Sequence, residues 1–164
     1  MDENSILECL DSKSQEVEDI RKNVDITKDF LDFVKKIDSL PEVNKRSSEE
    51  SRSLYEAVSE SRVINTVGKQ LEEFFGPPCK PAGKSIPLML RLNPSVKYLG
   101  GIRKEQSLFR RGLKLGEFYG ALWPWQTNPE TITVHLGFCC DKMSDEDYNK
   151  LAKLVETALA EQRG

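Results

Sequence analysis

His135, Cys139 and Glu117 are the residues of this sequence that first suggest a chemical reaction. His135 is the only histidine, Cys139 lies four residues after it, and Cys79 and Cys140 add two further thiols. A cysteine beside an imidazole can act as a nucleophile, and thiols with an imidazole can hold zinc. The spacing contains no paired Cys-x-x-Cys unit, and adjacent cysteines on a strand point to opposite faces. We therefore predict no catalytic residue, no metal site and no cofactor.

Charged side chains are distributed unevenly along the sequence. Residues 76–115 hold nine basic side chains and one acidic one, a net charge of +8. The segment before them carries −7 and the segment after them −4. A local positive field of this kind attracts an anionic partner. The partner can be a nucleic acid, another polyanion, or the acidic part of the same chain.

Aromatic residues alternate with these basic residues along the chain. A sheet face that presents rings and cations can bind single-stranded nucleic acid, because bases stack on the rings and the cations contact phosphates. The aromatic octapeptide of RNA-recognition domains is absent. The residues predicted to contact a polyanion are Lys97, Arg103, Lys104, Arg110, Arg111, Lys114, Tyr98, Phe109, Tyr119, Trp123 and Trp125.

Two structural explanations and two other functional hypotheses compete with this binding module. The large aromatics can simply be core residues, and the acidic N-terminal region can neutralise or cover the basic block. An assembly protein would instead recruit a protein partner or form a homodimer through residues 3–40. A small enzyme of unknown reaction is the third hypothesis, with Glu117, His135 and Cys139 as its first candidates.

Helical patterns dominate the first half of the chain. Apolar residues recur at heptad spacing over the first forty residues, with several polar interruptions, which predicts a helix that packs inside one monomer or a dimer seam. Pro41 ends this helix, and a polar linker to residue 53 contains a capping box. A second helix is predicted over 52–75, and five prolines make residues 77–94 a long loop.

From Val96 onward the apolar period changes from helical to alternating. Candidate strands are 96–103, 108–115, 118–123 and 131–138, joined by short turns as in an antiparallel meander. A final helix begins at Ser144 and runs to 162, with acidic residues in its first turn. The predicted fold is α+β, a three- to four-stranded antiparallel sheet flanked by helices, with an N-terminal helical region.

The predicted division of the chain is an acidic helical region and linker over 1–46, followed by an α+β domain over 47–164. The sequence contains no run of 18 apolar residues, which predicts no membrane span and no membrane partner. Four cysteines without disulfide-like spacing favour a reducing, cytoplasmic setting.

Overall fold

The computed structural model describes residues 17–46, 53–112, 116–140 and 143–164. Their elements, in chain order, are helix α1 (Val17–Asp38), strands β1 (Val43–Lys45) and β2 (Tyr55–Glu60), helices α2 (Ile64–Phe75) and α3 (Pro94–Tyr98), strands β3 (Ser107–Gly112), β4 (Glu117–Pro124) and β5 (Thr131–Cys139), and helix α4 (Asp145–Arg163). The fold is α+β, as predicted.

The five strands form one antiparallel sheet in the order β1-β2-β5-β4-β3. Strands β3, β4 and β5 are the predicted meander, with bounds close to those expected from the alternating pattern. The sheet is wider than the predicted three or four strands, because β1 and β2 extend it beyond β5. Strand β5 therefore lies at the centre of the sheet.

The predicted helix over 52–75 is wrong in its first half. Residues 55–60 form β2, which pairs with β5 along its whole length, and the helix begins only at Ile64. Tyr55, Ala57 and Ser59 are buried on one side of β2. This alternation allows β2 to pack on the helices while its backbone pairs in the sheet. Strand β1 likewise forms within the predicted linker.

The predicted strand over 96–103 is also wrong. Its beginning belongs to the short helix α3, because Asn93 caps that helix and Pro94 occupies its first turn. The Asn93 side chain accepts hydrogen bonds from the amides of Ser95 and Val96, at 3.0 and 3.3 Å. Asparagine at the cap and proline just after it are strong helix-start residues.

Helices α1, α2 and α4 cover one side of the sheet, which we call the helical face. Its core includes Phe30 and Val34 from α1, Leu71 from α2 and Leu151 from α4, packed on β4 and β5. The ring of Phe30 stacks on Phe118 of β4 with centroids 4.3 Å apart. The same core also holds Ile37 of α1 and Val43 of β1, so both elements pack on the sheet.

Ser144 caps α4 as predicted. Its hydroxyl accepts a hydrogen bond from the amide of Asp147 at 3.1 Å, and three acidic residues occupy the first turn. This end of α4 thus satisfies backbone groups that a helix start would otherwise leave unpaired. Leu151, Val155 and Leu159 then bury the apolar stripe of the helix.

The opposite side of the sheet, which we call the connector face, is covered differently. Residues 76–106, here called the connector, run between α2 and β3 and place a smaller apolar cluster over β3 and β4. Tyr119, Ala121 and Leu108 of the sheet are buried in this cluster. Two of the predicted polyanion-binding residues, Arg103 of the connector and Trp123 of β4, meet at its border.

Candidate functional site

Lys80 anchors the last turn of the connector. Its side chain is fully buried, and its ammonium donates to the carbonyl oxygens of Arg103, Lys104 and Gln106 at 2.9, 2.6 and 2.5 Å. Burial lowers the pKa of Lys80, although nearby Glu105 opposes the shift. A lysine counted in the basic block therefore acts as an internal bracket that fixes the position of Arg103.

A cleft opens where this turn meets the ends of β4 and β5. It has a volume of about 300 Å³ and is lined by Arg103, Trp123, Pro124, Trp125, Gln126, Thr127 and Thr133. Three of the predicted polyanion-binding residues, Arg103, Trp123 and Trp125, thus lie around one depression. Their sequence separation hides this proximity, because the connector must fold back over β4 to create it.

Trp125 is the most accessible aromatic residue of the cleft. Its side chain is 38% exposed, while its indole Nε1 donates to Thr133 Oγ1 at 2.8 Å. Its backbone amide also donates to the carbonyl of Thr131 at 2.9 Å. These two bonds fix the ring and leave part of it open to solvent. A fixed and accessible indole is suited to stacking on a planar ligand.

Arg103 supplies the positive charge of the cleft. Its Nε lies 2.8 Å from Glu105 Oε1, and both side chains are nearly half exposed. An exposed ion pair of this kind contributes only about 0–1 kcal/mol. An incoming phosphate can therefore displace Glu105 from the guanidinium at little cost.

Trp123 forms the inner wall of the cleft. Its ring lies over His135, with centroids 4.2 Å apart. Among the described residues, its buried Nε1 has no hydrogen-bond partner. Buried donors without a partner are uncommon and are tolerated where they serve a site or meet an ordered water.

His135 lies beneath Trp123 and is buried, not a surface imidazole. Its Nδ1 lies 3.1 Å from Ser53 Oγ and 3.7 Å from Glu56 Oε2. Burial lowers the pKa of His135 to about 4, partly against the effect of Glu56 and with a smaller contribution from Arg46. The imidazole is therefore neutral near pH 7.

This group does not have the geometry of a catalytic triad. Ser53 and Glu56 both approach the same nitrogen of His135, whereas a triad places the serine on one nitrogen and the acid on the other. Cys139 is four residues further along β5, which at strand spacing places it roughly 13 Å from His135. His135 and Cys139 therefore do not form a nucleophile pair.

Glu117 belongs to a separate buried network at the other end of β4. Its carboxylate accepts hydrogen bonds from Arg110 Nε at 2.8 Å and from the Ser95 hydroxyl. Burial by itself raises the pKa of Glu117, but the bonds from Arg110, Ser95 and Asn93 outweigh it and hold the pKa below its usual range. The network ties α3 to the sheet, which accounts for both Glu117 and Arg110 as structural groups.

Arg111 also has an internal partner. Its guanidinium lies 4.7 Å from the centre of the Phe74 ring, and its Nη1 donates to the Phe74 carbonyl at 3.4 Å. Arg110 and Arg111 point to opposite faces of the sheet, as consecutive strand residues must. Neither arginine lies in the cleft.

Two predicted stacking residues are buried, contrary to the expectation that they lie on an open sheet face. Phe109 faces the helices, with its ring 6.2 Å from Phe75, and Tyr119 lies under the connector, 6.4 Å from Tyr98. Both faces of this part of the sheet are covered, so neither ring is available to a ligand. Tyr98 itself is half-buried beside them.

The remaining predicted residues are exposed cations or lie elsewhere. Lys97 and Lys104 are exposed and form no ion pair with another described residue. Lys104 adjoins the Arg103 side of the cleft. Lys114 lies outside the described residues.

A larger depression of about 480 Å³ lies where β2 ends and β5 begins. Its one cation, Arg62, already pairs with Glu60 at 2.5 Å and Glu42 at 3.1 Å. Glu130 adds a further acidic group to its lining. The balance of charge there disfavours an anionic ligand, so we place the candidate site at the tryptophan cleft.

Within the described ranges, no group of three or more histidine, cysteine or acidic side chains is arranged to hold a metal ion. The helices in those ranges are also too short or too polar to cross a bilayer. Comparison with known proteins finds no matching protein-family model, no similar curated protein and no similar solved structure.

Proposed function

We propose that the protein is a non-catalytic binding module that holds single-stranded nucleic acid or a similar polyanion at the tryptophan cleft. The observation that carries this proposal is the position of Arg103 beside the accessible ring of Trp125. The ring offers a stacking surface, which contributes roughly 1–3 kcal/mol per base. The guanidinium offers a contact for the adjoining phosphate.

The size of the cleft fits one nucleotide unit. A volume of about 300 Å³ lies at the lower end of the range for small-ligand sites. Gln126, Thr127 and Thr133 line the remaining wall with groups that can donate and accept hydrogen bonds. Lys104 adjoins Arg103 on the connector and adds a second positive charge for a neighbouring phosphate.

The test is a titration of the full chain with labelled single-stranded RNA and DNA, read by tryptophan fluorescence at several salt concentrations. Two phosphate contacts to single-stranded nucleic acid, from Arg103 and Lys104, give a slope of about −1.4 in log affinity against log salt. We expect quenching of tryptophan fluorescence, because Trp125 is the exposed indole at the contact.

Three variants make this test specific. Trp125→Ala and Arg103→Gln should each weaken binding, whereas Glu105→Gln should strengthen it by freeing Arg103 from its ion pair. The matched control is Arg62→Gln, which removes an exposed, glutamate-paired arginine from the other depression. Equal losses for Arg103→Gln and Arg62→Gln would mean that only general charge matters, and would overturn the cleft as the site.

An acidic cover over the basic surface is testable only with a short deletion. Removing residues 1–46 would also remove α1 and β1, which contribute to the helical core. Removing residues 1–16 leaves every described element in place. Tighter nucleic-acid binding after this deletion is the result expected of a cover, and unchanged binding would argue against it.

The predicted alternatives have separate tests. Assembly through residues 3–40 requires a change in sedimentation with protein concentration that Trp125→Ala leaves intact. The cytoplasmic setting is in keeping with the described thiols Cys79, Cys139 and Cys140, which form no disulfide. The division at residue 46 stays a prediction.

A further inference from the structure

The outer tip of the connector exposes three large aliphatic side chains. Leu88, Met89 and Leu92 are 76%, 90% and 75% exposed, far more than Trp125 at 38%. They lie on one short 3₁₀ turn, Leu88–Leu92. Exposed apolar groups concentrated in this way mark surfaces that contact something other than water.

Local hydrogen bonds shape the turn that carries these side chains. The amide of Leu90 donates to the carbonyl of Pro87, and the amide of Asn93 donates to the carbonyl of Leu90, both at 3.0 Å. On either side of the tip, the apolar side chains of the connector pack inward, namely those of Cys79, Ile86, Val96, Tyr98, Leu99 and Ile102. The chain therefore has other apolar residues that turn towards the sheet, while these three point outward.

The surroundings of the tip are positively charged. Residues 79–104 contain six basic side chains and no acidic one. Lys80 is buried and Arg103 is paired with Glu105, but Lys84, Arg91 and Lys97 are exposed and pair with no other described residue. Arg91 lies within the turn, just before Leu92, and Lys84 lies four residues before Leu88.

We infer that this tip is a docking surface for an anionic lipid bilayer. Leu88, Met89 and Leu92 enter the boundary between headgroups and acyl chains, and Lys84, Arg91 and Lys97 contact the anionic headgroups. Apolar residues bordered by lysine and arginine form the pattern of surfaces that lie on membranes, and the binding strengthens with anionic lipid.

The shape and charge of the tip favour a bilayer over other partners. Side chains exposed to this degree form a projection, and a projection needs a partner that yields around it or has a matching groove. A second copy of the chain would bring the same cations into contact, and like charges repel. The hydrocarbon boundary of a bilayer accepts any projecting apolar shape.

This contact does not require a spanning helix, but it departs from the sequence-based expectation of no membrane partner. It is also separate from the cleft, because none of the tip residues lines it. The failure of one proposal therefore leaves the other standing.

The experiment is cosedimentation of the full chain with vesicles of phosphatidylcholine alone and of phosphatidylcholine mixed with phosphatidylserine. We expect binding to the mixed vesicles, much weaker binding to the neutral ones, and a decline with added salt. The triple variant Leu88→Ser, Met89→Ser, Leu92→Ser should lose about tenfold or more in partitioning. Stable attachment needs both the insertion of apolar side chains and the attraction to anionic headgroups. The double variant Lys84→Gln, Arg91→Gln should bind mixed and neutral vesicles almost equally.

The double variant Lys69→Gln, Lys153→Gln is the matched control for charge, because it removes two exposed cations outside the tip and should leave partitioning unchanged. Circular dichroism and thermal unfolding of the triple variant should match the parent, as its three side chains make no core contact. Wild-type binding equal for both vesicle types, or absent from both, overturns the inference. So does a triple variant that still sediments with mixed vesicles, or one whose only change is the loss of self-association or of binding to an acidic protein.

Discussion

The two faces of the sheet are covered in opposite ways. The helical face packs long helices through closely spaced rings, such as Phe33 on Phe74 at 4.7 Å and Phe118 beside Phe138 at 4.9 Å. The connector face is covered by an irregular segment and holds buried polar groups, including Lys80, Glu117 and His135. Apolar packing holds one face together, and directed hydrogen bonds hold the other.

This difference indicates where a site can form. Apolar packing tolerates few openings, whereas an irregular cover leaves gaps at its borders and positions polar groups there. Gly120 illustrates the tight side, since a Cβ on it would lie 2.9 Å from a Leu71 side-chain carbon and 2.8 Å from a Phe75 one. The tryptophan cleft and the exposed tip both belong to the connector side.

Phe118→Ala should have the largest effect on stability. Phe118 is fully buried between Phe30 and Phe138, and a core Phe→Ala change lowers the free energy of unfolding by about 3–5 kcal/mol. Urea denaturation followed by circular dichroism measures the loss. Nucleic-acid affinity under folded conditions should be unchanged, and a large loss of affinity there would show that the two faces are coupled.

Acid should act on the connector face through His135. The unfolded histidine titrates near its usual pKa of 6.5, whereas the folded one titrates at about 4. Below pH 6.5 the unfolded state therefore binds a proton that the folded state does not, so stability falls as the pH drops towards 4, by up to about 3 kcal/mol.

The free energy of unfolding, measured from pH 7 to pH 4, should decline less steeply in His135→Gln than in the parent chain. Glu156→Gln, a change on the exposed surface of α4, is the control for general effects of charge. Parallel curves for His135→Gln and the parent would show that the histidine is not held in its neutral form.

Lys80→Met should lower the free energy of unfolding by about 2–3 kcal/mol. The substitution removes three charge-assisted hydrogen bonds and leaves the carbonyls of 103, 104 and 106 without this donor. Because these bonds hold Arg103, affinity for nucleic acid should fall as well. Lys84→Met, at an exposed position, should change the free energy of unfolding by less than about 0.5 kcal/mol. An equal loss of stability in the two variants would contradict the structural role of the Lys80 hydrogen bonds.

Trp125→Ala should have a small effect on stability and a clear effect on binding. It removes a partly exposed ring and one hydrogen bond, so the free energy of unfolding should change by about 1 kcal/mol or less. Affinity for single-stranded nucleic acid should fall by about tenfold, the loss of one base stack. Unchanged affinity alongside unchanged stability would leave the ring without a role.

The sequence pattern predicted correctly those elements whose apolar spacing and capping residues match the structure they form. Strand β5 alternates strictly, and α4 begins at a capping serine, so both were placed within a residue or two. Strand β2 was missed because Tyr55–Glu60 leads without proline or glycine into a true helix, and its partner lies far away in sequence. Asn93 and Pro94 are typical of a helix start, but the alternating apolar residues after them led to the prediction of a strand instead of α3.

The site was only partly predictable for the same reason. Composition pointed to Arg103, Trp123 and Trp125, and the fold brings these three together. Nothing local reveals that Arg110 lies beside Glu117, because that pairing depends on the register between β3 and β4. The use of Lys80 as an internal bracket depends likewise on a turn that returns from 23 residues away.

The position of β5 between β2 and β4 has a consequence for the nascent chain. During synthesis β2 leaves the ribosome long before its partner, because residues 55–60 pair with residues 131–136. Until then only β1 can pair with it, and its other edge presents open amides and carbonyls. Pairing of distant segments is slow. The last strand to be made, β5, therefore joins the two halves of the sheet. A chain stalled before residue 131 would keep the unpaired edge of β2 exposed, where it can bind chaperones or aggregate.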